Sequence, residues 1–137
     1  MKFQKVTGQA IRIVGYLNAH PNEIIPSKII SQDLDISYQI CIKISNMLKK
    51  GGLISTTRGI YGGFRLTKSA EKISLYDIVT LIEGPISIYN DLDEMPIGRG
   101  KKRKPQAQAY SVQETFLKIQ KILIDELKKT TIADINF

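Results

Sequence analysis

Apolar residues near the start of the chain fall on one face of a helix, with Val6, Ala10, Ile13, Val14 and Leu17 at a 3.6-residue period. The pattern predicts a helix over about residues 7–19, stopped by Pro21. A shorter helix follows over residues 28–34, with Ser27, after Pro26, placed to cap it and Ile29, Ile30 and Leu34 turned inward. Asp35-Ile36 makes a tight connection. Ser37 then caps a helix over residues 38–50, whose inner face is Ile40, Cys41, Ile44 and Leu48 and which Gly51-Gly52 ends. The period then shortens. Residues 53–57 and 64–67 read as two strands around Arg58-Gly59-Ile60-Tyr61-Gly62-Gly63, a hairpin with a glycine-rich tip.

Two short helices joined by a brief turn and followed at once by a hairpin are the parts of a winged helix-turn-helix. Ser74 caps a further helix over residues 75–83 with Leu75, Ile78, Val79 and Ile82 on its apolar face, broken by Gly84-Pro85. From about residue 86 to 108 no period is clear, and Pro96, Gly98, Gly100 and Pro105 mark a loop. The last element is a long helix over about residues 109–129. Its stripe of Val112, Phe116, Ile119, Leu123 and Leu127, widened by Leu117, Ile122 and Ile124, needs a cover. Self-association supplies one; folding back onto the first helix supplies another, and the two can use different faces. The expected fold class is mainly α with a small β-hairpin wing, a winged helix-turn-helix DNA-binding domain plus a long C-terminal dimerisation helix. The expected division is residues 1–84 for the DNA-binding domain, 85–108 for the loop, and 109–137 for the dimerisation helix and tail.

Composition narrows the chemistry. No apolar run approaches a membrane span, and Met1 to Lys5 lacks the apolar stretch of a secretory signal, so a cytoplasmic protein with no membrane role is expected. The long helix does not reverse this, because its polar side mixes Glu114, Asp125 and Glu126 with lysines. With one cysteine, Cys41, and one histidine, His20, the chain has neither an internal disulfide nor a zinc or iron–sulfur ligand set, and a catalytic base is scarce. Asp33 with Asp35, and Asp91 with Asp93 and Glu94, pair with no histidine, phosphate loop or metal-ligand spacing, and read as solvated turns. The expectation is no enzyme, no metal and no cofactor. The net charge of +7 suits a polyanion, yet five of those charges lie in one run, Arg99, Lys101, Lys102, Arg103 and Lys104, so charge alone argues weakly. That run is a solvated loop, an auxiliary arm for phosphates, or a site for an acidic partner.

The architecture assigns contacts. The second helix of such a pair enters the major groove by its N-terminal part, where Ser37, Tyr38, Gln39 and Lys43 lie off the apolar face. Gln39 offers a donor and an acceptor to adenine, Lys43 reaches guanine or phosphate, and Tyr38 donates to phosphate or packs on a thymine methyl. Ser27 and Lys28 open the first helix of the pair, where an N-terminus favours phosphate. In the wing, Gly59 and Gly62 leave the backbone bare beside Arg58, Tyr61 and Arg65. Arg58 enters the minor groove or meets flanking phosphate; its structural alternative is a salt bridge bracing the hairpin. The expected partners are double-stranded DNA with a two-fold-related operator and a second copy of the chain. A rival reading is a winged-helix protein-interaction module with weak, non-specific DNA binding, since Ile42 and Met47 make the recognition helix less basic than many.

These segments together resemble the Rrf-type winged-helix transcription regulators, the family of IscR-, NsrR- and CymR-like proteins. The resemblance rests on Met1-Lys2-Phe3 leading to Thr7-Gly8, on Ile36-Ser37 with Ile40, Ile44 and Leu48, and on Gly52-Leu53-Ile54. Its most specific part is Arg58-Gly59 with Gly62-Gly63-Phe64, which resembles the family's wing. Ile73-Ser74-Leu75, Asp77-Ile78-Val79 and Ile82-Glu83-Gly84 resemble the helix after the wing, and residues 130–135 resemble the closing motif. Members with an iron–sulfur cluster carry three cysteines between the post-wing helix and the long helix; this chain has none there. Glu83-Gly84-Pro85-Ile86-Ser87 is similar to the cluster-free, CymR-like branch, whose members act in cysteine metabolism and sense through a partner enzyme. The resemblance implies a dimeric repressor. Cys41 stands where the family usually has leucine, and reads as a small apolar core residue or, less naturally for an inward thiol, a redox switch.

Overall fold

Four fully buried aliphatic side chains, Ala10, Ile13, Val14 and Leu17, anchor the first helix. In the computed structural model, which describes residues 2–89 and 111–137, α1 spans Lys5–Ala19. It starts two residues before the predicted boundary because its cap comes from far along the chain. Gln4 provides no side-chain cap. Instead the Gln4 amide donates to Glu83 Oε1 at 2.5 Å, and the Thr7 hydroxyl donates to the same oxygen at 2.6 Å. A carboxylate at a helix N-terminus also meets the positive end of the helix dipole.

The helix pair is α2, Ser27–Leu34, and α3, Tyr38–Lys50. The expected Ser27 cap is not formed. Pro26 is the N-cap residue, and its carbonyl accepts from the amides of Ile29 and Ile30 at 3.0 and 3.1 Å, so the helix begins at Ser27. Asp35, in the left-handed region at φ 52°, ends α2. Ser37 caps α3 as expected, its hydroxyl accepting from the Ile40 amide at 3.2 Å. Two inward assignments are corrected: Ile29 and Ile40 are exposed. The buried face of α2 runs through Ile30 and Ser31, with Leu34 packed against the core, and that of α3 through Cys41, Ile44, Ser45 and Leu48. Ile29 and Ile40 each precede the first residue of that face by one position, a rotation of roughly 100°. Two polar ties set α1 against α2: Tyr16 Oη donates to Asp33 at 2.5 Å, and an Arg12 guanidinium nitrogen donates to the Leu34 carbonyl at 2.9 Å.

The wing is β1, Ile54–Thr57, paired antiparallel with β2, Gly63–Leu66, from Ile54↔Leu66 to Thr57↔Gly63. The far side of β2 is also paired. Phe64 donates to the Ile25 carbonyl at 2.8 Å and Ile25 donates back at 3.0 Å. Gly63 permits this approach, since a Cβ there would overlap the Ile25 carbonyl group.

A 3₁₀ turn at Ala70–Lys72 leads to α4, Leu75–Glu83, which starts at a reciprocal box between Ser74 and Asp77. Gly84, at φ 82°, ends it. The long helix α5, Val112–Lys129, begins at a second such box between Ser111 and Glu114. The predicted start at residue 109 lies outside the described residues, as do most of the 85–108 loop, its acidic cluster and the Arg99–Lys104 run. α5 lies against α4, which contacts α1 as well. No residue of α5 is fully buried. The tail closes the fold: Leu75 donates to the Thr130 carbonyl, Ile132 donates to the Ile73 carbonyl at 2.9 Å, and Ile132 is buried in the core.

Two predictions follow from these ties. Gly63→Ala should lower unfolding stability by about 1–3 kcal/mol, the usual cost of forcing atoms into a packed site, measured by urea unfolding. Hydrogen bonds from Thr7 and from the Gln4 amide hold the Glu83 carboxyl below its usual range. An unfolded chain therefore takes up this proton first as pH falls. The stabilisation is complete above the ordinary carboxylate range and is lost as pH falls through the lowered folded value. Glu83→Gln should be less stable than the parent at neutral pH, with the gap narrowing in acid.

Candidate nucleic-acid interface

The outer face of α3 is what its buried face leaves over. Ser37, Tyr38, Gln39 and Lys43 are all exposed, with Ile42 half-buried between them. Asn46, also exposed, lies three residues beyond Lys43 on this strip. The i, i+3, i+4 spacing of residues 39, 43 and 46 was readable from the sequence, and Asn46 is a candidate that the expected contacts omitted. Ser27, partly exposed, and Lys28, exposed, open α2. The Ile25–Phe64 pairing sets the base of the wing beside that end, because Ile25 directly precedes Pro26 and Ser27.

In the wing, Arg58, Gly59, Tyr61 and Arg65 are exposed and Gly62 is partly covered. Gly59 has φ 107°, where a side chain is strained. Gly62 packs so closely on the Thr57 carbonyl that a Cβ would overlap it. The side chains of Lys28, Lys43, Arg58 and Arg65 make no ion pair or hydrogen bond among the described residues, where Lys129–Glu126 is the ion pair found. The salt bridge offered as the structural role of Arg58 is thus not formed there. Arg12, by contrast, is spent on the Leu34 carbonyl.

Cys41 lies on the opposite face of α3, fully buried, with its thiol donating to the Ser27 carbonyl at 3.6 Å. Burial pushes the thiol above its usual pKa, against a smaller lowering by Ser45. Along α5, Tyr89 stacks on Phe116 with ring centroids 4.7 Å apart, and the Ile88 amide donates to Gln120 Oε1 at 3.0 Å. Phe116, Leu123 and Leu127 are half-buried, whereas Val112 and Ile122 are each 60% exposed and Ile119 is also exposed. The stripe is therefore only partly covered within the chain. Among the described residues no helix is long and apolar enough to cross a membrane.

The family model Rrf2, described as iron-dependent transcriptional regulator, matches residues 3–136. Protein aau3 of Rhizobium meliloti (strain 1021) is 32% identical over 83 residues, covering 61% of this chain and 54% of that protein. YwgB of Bacillus subtilis (strain 168), named as a candidate HTH-type transcriptional regulator, is 34% identical over 90 residues, covering 65% and 58%. The chain thus matches these curated relatives over somewhat more than half of their length. Among solved structures, CymR (YrzC), described as the global cysteine regulator of B. subtilis, superposes with a TM-score of 0.74 at 24% identity over 98% of this chain and 95% of that one. IscR of T. potens gives 0.71 at 20% identity, over 98% and 85%. These structures establish the winged helix-turn-helix fold.

The iron in the family's description raises the question of which side chains could hold it. The chain's one cysteine is sealed in the core, and no group of three His, Cys, Asp or Glu side chains is placed to hold a metal among the described residues. The residues present do not fit an iron–sulfur cluster of the cysteine-ligated kind. Fold, helix order and a family match along nearly the whole length agree, and the chain belongs to the Rrf2 family of transcriptional regulators.

Proposed function

We propose that this protein is a sequence-specific DNA-binding repressor that acts as a homodimer, without an iron–sulfur cluster, on the CymR-like side of its family. The observation that carries the reading is a capped α3 whose first turns expose Tyr38, Gln39 and Lys43, next to a wing whose Arg58 and Arg65 have no partner in the described fold. Cations left free on a rigid scaffold suit phosphate, because no internal pair has to be broken before they bind.

In this reading α3 lies in the major groove. Gln39 pairs with adenine through its amide, Lys43 with guanine or phosphate, and Ser37 and Tyr38 meet the backbone at the groove edge. Ser27 and Lys28 take a phosphate at the start of α2. Arg58, with the bare backbone of Gly59 and Gly62, reaches the minor groove or its flanking phosphates, and Tyr61 and Arg65 extend that contact. Residues 1–84 form the DNA-reading unit. Val112, Phe116, Ile119, Leu123 and Leu127 pair α5 with its copy, so that two recognition helices meet a two-fold-related operator. The exposed Ile29 and Ile40 favour a second reading, an interaction module that docks on an apolar protein partner.

Selection of genomic DNA at physiological salt separates the two readings. A repressor should enrich a two-fold-related motif bound about 10³-fold or more above scrambled DNA. Uniformly weak binding that vanishes with salt would leave the interaction module. Arg58→Ala should weaken operator binding roughly tenfold or more and reduce the slope of log K against log salt by about two, one for each protomer, with its melting temperature unchanged. Cys41 should resist a maleimide in the folded protein and react once urea unfolds it. Rapid labelling of the native protein would contradict a structural role for this thiol.

A further inference from the structure

The tip of the wing breaks two local rules at one place. The Gly62 amide donates to the Gly59 carbonyl at 3.0 Å, closing a four-residue turn with Ile60 and Tyr61 at its centre. Central turn positions ordinarily go to Pro, Gly, Asn, Asp or Ser, which set the turn or tolerate its backbone. Here they hold a β-branched aliphatic side chain 94% exposed and an aromatic one 91% exposed. These are the most exposed large apolar side chains among the described residues. Single apolar residues scattered on a surface need no explanation. Two adjacent ones at the apex of a projecting hairpin do, since sequences break local rules mainly where function requires it.

The apex is also held in shape. The strands stay paired up to Thr57↔Gly63. Beyond that pair, Gly59 occupies a conformation at φ 107° that side chains disfavour, and Gly62 folds against the Thr57 carbonyl where no Cβ fits. Ile60 and Tyr61 therefore stand on a short, ordered arm with the unpaired Arg58 and Arg65 behind them. The chemistry of an apolar point on a cationic base identifies the occupant. Two side chains make too small a patch for a stable protein interface, which needs hundreds of square ångströms on each side. A DNA minor groove offers anionic rims to the arginines and apolar sugar faces and base steps to the tip.

Building on the DNA-binding reading above, we infer that Ile60 and Tyr61 form an apolar wedge which the wing inserts into the minor groove flanking each half-site. The wedge partly opens a base step there. The flank is then read through its deformability, with flexible pyrimidine–purine steps favoured over stiff tracts. Arg58 supplies attraction, and the wedge supplies shape discrimination.

The test uses the full chain on the operator it selects. Replacing both tip residues, Ile60→Ser with Tyr61→Ser, should weaken binding roughly tenfold or more, on the scale of losing one side chain stacked on a base. The DNA bend measured by electrophoretic phasing should shrink, and preference for flexible flanking steps should fade. The salt slope should not move, because no charge is removed, which separates this variant from Arg58→Ala. Melting temperatures should match the parent throughout, since neither side chain packs inside the fold. A double variant with unchanged affinity, bend and flank preference would overturn the wedge while leaving the DNA-binding reading intact. A parent that selects no operator would overturn both, and that result appears before any variant is made.

Discussion

The reciprocal backbone bonds between Ile25 and Phe64 set the position of the wing, and with it the shape of the candidate DNA surface. A lone two-stranded hairpin is marginal in water. Here β2 gains a further partner in the segment ahead of α2, and Phe64 sinks into the hydrophobic core. The angle between hairpin and helix pair is thereby fixed by main-chain geometry, not by adjustable side chains. Gly63 is the residue that makes the approach feasible, since the Ile25 carbonyl occupies the space of its missing Cβ. The glycine-rich character of the wing thus has two distinct causes. Gly59 and Gly62 shape the tip, whereas Gly63 docks the base.

Around this joint the polar ties lie at the edges of the core. Glu83 caps α1 from the end of α4, Tyr16 and Arg12 hold α2, and Ile73 and Leu75 bind the tail. Hydrogen bonding to Asp33 is the main reason the Tyr16 hydroxyl is pushed up to about 12, so it stays a neutral donor through the physiological range. These ties engage Arg12 but leave Lys28, Lys43, Arg58 and Arg65 without partners among the described residues. Internal order and external charge are therefore separated by position, which suits a scaffold that binds a polyanion without rearranging.

The long helix follows a different logic. Its start is specified locally by the Ser111–Glu114 box, while its apolar stripe is only half satisfied by α4 and by Tyr89 on Phe116. Leu123 and Leu127 are half-buried, and Val112, Ile119 and Ile122 stay exposed. Within the chain α5 packs on α4, and one edge of the stripe stays exposed at Val112, Ile119 and Ile122.

Much of the helix-turn-helix and wing was legible in the sequence because its signals are local. The Ser37 cap, the Ser74–Asp77 box and the Gly51-Gly52 stop lie within a few residues of the boundaries they set, and α3 and α4 fall where periodicity and caps put them. The exposed strip of the recognition helix follows from the same period. What tertiary structure alone decided involves partners distant along the chain. The early start of α1 depends on a carboxylate 79 residues away. The rotations that expose Ile29 and Ile40 depend on which neighbours each helix meets, and the docking of the wing depends on a backbone pair across the fold. Periodicity names the residues that share a face; only packing decides how far that face turns and which charges are left unpaired.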